Sequence, residues 1–196
     1  ENKNAYLSVL LLENFLMRQY LTPEEVKGYY EKLDKSLLET KSAKNIKKVL
    51  DSMTGNTLGK PAPNFSAPSP EGKTISLKES LGKVTIIDFW ASWCGPCRAE
   101  NPNVVAMYNE LHDKGLNIIG VSLDKDAAKW KEAIAKDKLT WAHVSNLKFW
   151  DEPIAKQYNV QSIPATFILD AKGNIVAKDL RGDALKAKVK ELLGVK

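Results

Sequence analysis

Sulfur is scarce in this chain: 196 residues contain two cysteines, Cys94 and Cys97. A scaffold stapled by several disulfides is therefore excluded. Histidine is equally rare, with only His112 and His143 present, and a structural zinc site needs four ligands. Long apolar runs are missing as well. The stretch Tyr6 to Leu12 is broken by Glu13 and Asn14, well short of the ~20 apolar residues of a membrane-spanning helix. Basic residues are not gathered into a block: the net charge of +5 comes from scattered lysines. No stripe of aromatic and basic residues suits nucleic acid, so none is expected as a partner. Neither a methionine nor a secretory signal opens the chain at Glu1; it reads as processed or excised, which leaves the compartment open. What remains is ordinary for a soluble globular protein, 43% hydrophobic and 27% charged, long enough for one domain plus an appendage.

Composition divides the chain. Residues 1 to about 54 read as three helices. In the first, Tyr6, Leu7, Leu10, Leu11, Asn14, Phe15 and Met17 recur at helical spacing over more than one face, so this helix wants burial on two sides. The second opens on Thr22-Pro23-Glu24-Glu25, a cap, a proline at the first helical position and a glutamate three residues after the cap. Val26, Tyr29, Tyr30, Leu33 and Leu37 follow on one face, and Ser42 opens a third helix carrying Ile46, Val49, Leu50 and Met53. Core and interface are the default roles here. Between Thr54 and Gly72 glycine, proline, asparagine and serine take over, and Pro61, Pro63, Pro68 and Pro70 exclude a helix. The boundary is set near Leu58, giving a helical segment 1–57 and a second domain 58–196.

The second domain is α/β. After a short strand at Thr74–Leu77, strands are expected at Val84–Trp90, Asn117–Leu123, Trp141–Val144 and Thr166–Asp170. Helices are expected at Cys94–Asp113, Asp126–Lys136, Glu152–Tyr158 and Asp183–Leu193. The turn Lys172-Gly173-Asn174 folds Ile175–Lys178 back as a hairpin. Alternating βαβ units with a ββα end imply a mostly parallel central sheet with helices on both faces.

Both cysteines fall in Trp93-Cys94-Gly95-Pro96-Cys97, where an apolar strand gives way to a helix. Unpaired N–H groups at a helix start favour a thiolate, so Cys94 is the expected nucleophile. Cys97, about one turn deeper on the same face, is placed to attack a mixed disulfide formed by Cys94. Pro96 is tolerated because the first helical turn has no N–H bond to lose. A static disulfide is the plainer alternative, but so small a loop closes little chain entropy. Asp88 is the one charge in an apolar strand and shares a face with Val84, Ile86 and Trp90. A carboxylate there needs a partner or a task; the plainer reading is an exposed strand end.

The segment Ile87 to Cys97 looks like the active site of thioredoxins, and residues 59–196 resemble the TlpA/ResA-like thiol-disulfide oxidoreductases of the bacterial cell envelope. Supporting matches are Gly59-Lys60-Pro61-Ala62-Pro63-Asn64-Phe65, Arg98-Ala99-Glu100-Asn101-Pro102 and Ile163-Pro164-Ala165-Thr166. The resemblance implies a thioredoxin-like fold, a central mixed sheet flanked by helices and preceded by the N-terminal helical segment. It casts helices 1–54 as the end of a larger upstream domain. It implies Cys94 and Cys97 as a redox-active disulfide with no further cofactor and no metal, Asp88 as base toward Cys97, and Glu100 as a carboxylate tuning the cysteines. Two such carboxylates beside one dithiol would titrate as a coupled pair; for Glu100 a plain surface role is the alternative. Pro164 is expected cis, leaving the backbone of Ile163 to pair with an extended client segment. Trp93, Gly95 and Pro96 would touch that client, whereas Trp90 reads as core and Pro102 should kink its helix. Thioredoxins set a lysine beside the buried acid; here Gly120 takes that position.

The implied partners are disulfide-bearing client proteins and a membrane thiol-disulfide electron donor, and the implied location is periplasmic or envelope-associated. The Gly-Pro pair between the cysteines matches reducing members of the superfamily. A peroxiredoxin-like peroxidase is the second reading, although the threonine those enzymes carry three residues before the reactive cysteine is Ala91 here. A copper-handling module with the dithiol as a soft ligand is the third.

Overall fold

The computed structural model describes residues 6–18, 20–54 and 56–195, leaving aside the side chains at 23, 24 and 51–54. The expected core position Met53 therefore lies outside the described side chains. Two compact units form, Glu1–Thr54 and Gly55–Lys196. Asn56 belongs with the second, since its carbonyl accepts from Lys178 Nζ at 2.8 Å and its amide donates to the Gln157 carbonyl.

In the first unit, α1 (Tyr6–Met17), α2 (Pro23–Tyr30) and α3 (Lys41–Thr54) enclose Val9, Leu12, Leu16, Val26, Ile46 and Leu50. The Thr22–Glu25 capping box forms, with Glu25 N–H donating to Thr22 Oγ1 and Thr22 N–H to Glu25 Oε2. Two expectations change. The second helix stops at Tyr30, so Leu33 and Leu37 are not on its face; Leu37 is buried from a short 3₁₀ turn, Lys35–Leu37. That turn starts at Asp34, whose carboxylate accepts the Ser36 N–H and competes with continued helix. The third helix begins at Lys41 because Thr40, not Ser42, caps it through the Ala43 N–H. Within this unit α1 buries one side only, and Leu7, Leu11 and Met17 stay exposed.

The second unit opens with a small antiparallel pair, β1 (Ser66–Pro68) and β2 (Thr74–Ser76). Then come β3 (Val84–Trp90), α4 (Gly95–Leu111), β4 (Leu116–Ser122), α5 (Ala127–Lys136), β5 (Ala142–Val144) and α6 (Pro153–Gln157). β6 (Ala165–Asp170), β7 (Ile175–Lys178) and α7 (Gly182–Leu193) end the unit. The sheet order is β5-β4-β3-β6-β7. β3 and β4 pair in parallel, as do β4 and β5, whereas β6 is antiparallel to both β3 and β7. The sheet is thus mixed, as the resemblance implied, and departs from the mostly parallel reading of the βαβ pattern because β6 enters beside β3 from the opposite end. That inversion sets the start of β6 next to the end of β3, with Ala165 opposite Phe89.

As the central strand, β3 is covered on both faces, which explains its continuous apolar run. Phe89 on one face packs against Tyr158 and Phe167, and Tyr158 against Phe65, with centroids 5.0–5.9 Å apart. On the other face Ile86 and Asp88 share a cavity with Cys97 and Val104 of α4 and Leu185 of α7.

In register across that face stand Asp88, Gly120 and His143. The His143 ring occupies the space over Gly120: a Cβ there would lie 2.4 Å from Nδ1. Trp90 and Trp141 flank the ring at 5.5 and 5.7 Å. Burial pushes the imidazole pKa down to about 3, so it is neutral near pH 7. Gly120→Ala must displace a packed ring and is expected to lose roughly 1–3 kcal/mol in urea denaturation; an unchanged midpoint would show that the ring has room to move.

Candidate active site

β3 ends at Trp90, and four residues later Cys94 caps α4 at φ −82° and ψ 100°. The Cys94 Sγ accepts the N–H of Cys97 at 3.2 Å, and the Cys94 carbonyl accepts the N–H of Arg98. The outer sulfur therefore occupies the position where a capping oxygen would hold partial negative charge. Pro96 lies in the first turn, and the helix runs on through Pro102 to Leu111. Cys94 and Cys97 are joined as a disulfide. Both are largely buried, Cys94 at 5% exposure and Cys97 at 2%, while Gly95 and Pro96 lie exposed beside them.

The loop that delivers Cys94 is held by residues to which the sequence assigned no role of their own. Buried Asp124, just past β4, accepts both the N–H and the hydroxyl of Ser92, at 2.9 and 2.5 Å, and the hydroxyl of Ser122 at 2.8 Å. Arg98 donates to the Ser92 carbonyl at 3.0 Å and forms a two-pronged ion pair with Asp137 at the end of α5. Asn101 donates to the same carboxylate at 2.6 Å. Asp124 ends an apolar run much as Asp88 interrupts one, and that was the available signal. Asp137 had none.

Under the first turns of α4 lies a cavity of about 20 Å³ lined by Asp88, Cys97, Glu100, Pro164 and Arg181. That volume admits a single water. Asp88 lines this cavity and is half-buried. Desolvation pushes its pKa up to about 7; the charge of Glu100 adds to the rise and that of Arg181 opposes it. Glu100 is itself tethered, with Oε1 accepting the N–H of Gly182 at the start of α7 at 2.7 Å and Oε2 accepting from Asn103 at 3.2 Å.

The Ile163–Pro164 peptide bond is cis. The inverted β6 carries this loop to the end of β3, and Arg181 donates to the Pro164 carbonyl at 2.7 Å. Among the described residues the backbone of Ile163 has no hydrogen-bond partner. Trp90 is buried core. Trp93 is 47% exposed and meets Phe149 and Trp150, centroids 5.2 and 6.3 Å away, in an open aromatic face beside Cys94. The structure thus gathers Cys94, Cys97, Asp88, Glu100 and Pro164 into one site, with Trp93, Gly95 and Pro96 on its rim.

A carboxyl that titrates near 7 in the fold and near 3.8 unfolded binds its proton more tightly when folded. Its effect is a loss of stability as pH rises from about 4 to about 7, complete above that window. Asp88→Asn is expected to stabilise the oxidised protein by about 2–4 kcal/mol at pH 8 and by little at pH 4. Urea denaturation at the two pH values checks this; an equal gain at both would remove ionisation as the cause.

A family model described as AhpC/TSA family matches residues 58–178. Thiol-disulfide oxidoreductase ResA of Bacillus thuringiensis is 31% identical over 136 residues, 69% of this chain and 76% of the relative. The thioredoxin domain of a thiol-disulfide oxidoreductase of Bacteroides vulgatus superposes with a TM-score of 0.65 at 36% identity, covering 70% of this chain and 98% of that domain. A thiol-disulfide oxidoreductase of Bacteroides fragilis gives 0.64 at 36% identity, over 68% of this chain and 99% of its own. With a cis-proline loop and a capping cysteine at the end of a central strand, the chain belongs to the AhpC/TSA family, among its thioredoxin-like thiol-disulfide oxidoreductases.

Proposed function

We propose that this protein reduces disulfides of client proteins through Cys94 and Cys97, and that the carrying observation is the Cys94 sulfur at the head of α4 above a buried acid. The Cys94 thiolate attacks a client disulfide; one sulfur–sulfur bond forms, one breaks, and the first client thiolate leaves. Asp88, titrating near neutrality, takes the proton of the Cys97 thiol, and the new thiolate attacks Cys94 Sγ and releases the second client sulfur. The enzyme is left as the Cys94–Cys97 disulfide, the form described here, with two electrons passed to the client. A membrane thiol-disulfide donor returns them.

The free backbone of Ile163 supports recognition of an extended client segment by strand addition. Trp93, with Gly95 and Pro96 beside it, offers that segment an apolar contact. Glu100 adds the second negative charge that keeps Asp88 basic. Where a peroxidase would hold peroxide with threonine, Ala91 is buried and offers no hydroxyl. The bacterial cell envelope is the compartment we assign, by resemblance to the TlpA/ResA-like branch; among the described residues no helix is long and apolar enough to cross a membrane. Residues 1–57 are assigned to the end of a larger upstream domain on the same ground.

Two measurements test the reading. Cys97→Ser should accumulate a mixed disulfide through Cys94, while Cys94→Ser should trap nothing; adducts on Cys97 would reverse the roles. In a redox titration against glutathione a reductase should fall below about −220 mV, and a value near −120 mV would make it an oxidant.

A further inference from the structure

We propose that Arg181 is a positioning residue of the dithiol centre: from the connection between β7 and α7 it presents the positive charge that faces Asp88 and grips the carbonyl of Pro164, coupling the buried acid to the client-binding loop. The proposal rests on the disulfide-exchange reading above for its meaning, not for its geometry.

Asp88 has few neighbours that carry charge. α4 offers Glu100, while Cys97 is held uncharged in the disulfide. On β4 the residue in register is Gly120, which brings no side chain, and beyond it on β5 stands the neutral ring of His143. On β6 the register partner is Thr166, whose hydroxyl donates to the Leu180 carbonyl at 3.1 Å and whose N–H reaches Asp179 at 3.4 Å. Asp179 and Glu100 are both acids. Among the residues lining the cavity, Arg181 alone brings positive charge.

The same guanidinium reaches two parts of the site. Nη2 donates to the Pro164 carbonyl at 2.7 Å, while the side chain lines the cavity together with Asp88 and Cys97. The next residue, Gly182, holds Glu100 through its N–H at 2.7 Å. Two consecutive residues therefore fix the second carboxylate and the cis-proline loop at once. A guanidinium suits the task because its donors are spread over a rigid plane, so one can grip a carbonyl while the charge stays spread toward the acid. Lysine would keep the charge but not the fork.

The test reads Asp88 directly, by ¹³C carboxyl NMR titration of the oxidised protein, in which no thiol titrates. Arg181→Met and Arg181→Gln should both raise the Asp88 midpoint by about one pH unit, and Arg181→Lys should leave it within a few tenths. In turnover, Arg181→Lys should raise KM for a disulfide client several-fold at unchanged kcat, since it keeps the charge and loses the grip on Pro164. An Asp88 midpoint that stays put in the Met and Gln variants, or moves as far in the Lys variant, overturns the proposal. Because the titration uses no client, its failure is distinct from failure of the Cys97→Ser trap, which would overturn the function instead.

Discussion

Removing a carboxyl from water is the constraint on which the arrangement of this protein depends. Asp88 lies in the middle of the sheet, beneath the first turns of α4, where desolvation outweighs every other influence on its proton. An acid kept ionised there would call for a close cation, and the strand beside it supplies none, because Gly120 and the neutral His143 fill that side. What results is a carboxyl poised between its two states near neutrality. That poise costs the fold stability, and strongly shifted groups of this kind gather at functional sites. The helix start above works in the opposite sense, since it favours negative charge on sulfur. In the exchange proposed above, the outer sulfur carries the negative charge and the acid beside its partner takes up the proton.

Topology turns these local preferences into a site. Were β6 parallel to β3, the loop before it would emerge at the far end of the sheet. Its inversion instead sets Pro164 at the mouth of α4 and lets the turn after β7 bring Arg181 and Gly182 to the same place. Asp124 closes the third side from β4 by holding Ser92. Arg98 and Asn101 tie α4 to the end of α5 through Asp137. The dithiol is thus framed by segments far apart in the chain.

This explains what could and could not be read from the residues. The strand, the cysteines and the helix start are contiguous, so their periodicity and capping chemistry were legible, as was Asp88 as a charge out of place. The Thr22–Glu25 box was legible for the same reason. The short turn at Asp34 that ends α2 early was local too, but its outcome depended on competition between a helix and an Asx cap. The mixed sheet followed from the resemblance carried by the cysteine and proline motifs and not from the pattern of strands and helices, because alternation fixes which elements exist and leaves the direction of β6 open. Arg181 and Asp137 were invisible for a further reason. Their partners lie 17 and 39 residues away, and an arginine or aspartate at a helix boundary looks like any solvated charge.

Phe149 and Leu147 both hold left-handed backbone conformations, at φ 54° and 56°, in the stretch that brings Phe149 and Trp150 against Trp93. The Phe149 N–H reaches the carbonyl of Asp124, the residue whose side chain steadies the cysteine loop. The aromatic face beside Cys94 and the loop that carries Cys94 therefore share one anchor, Asp124, whose carbonyl holds the first and whose carboxylate holds the second. A change at Asp124 would thus reach the cysteine loop and the aromatic face together.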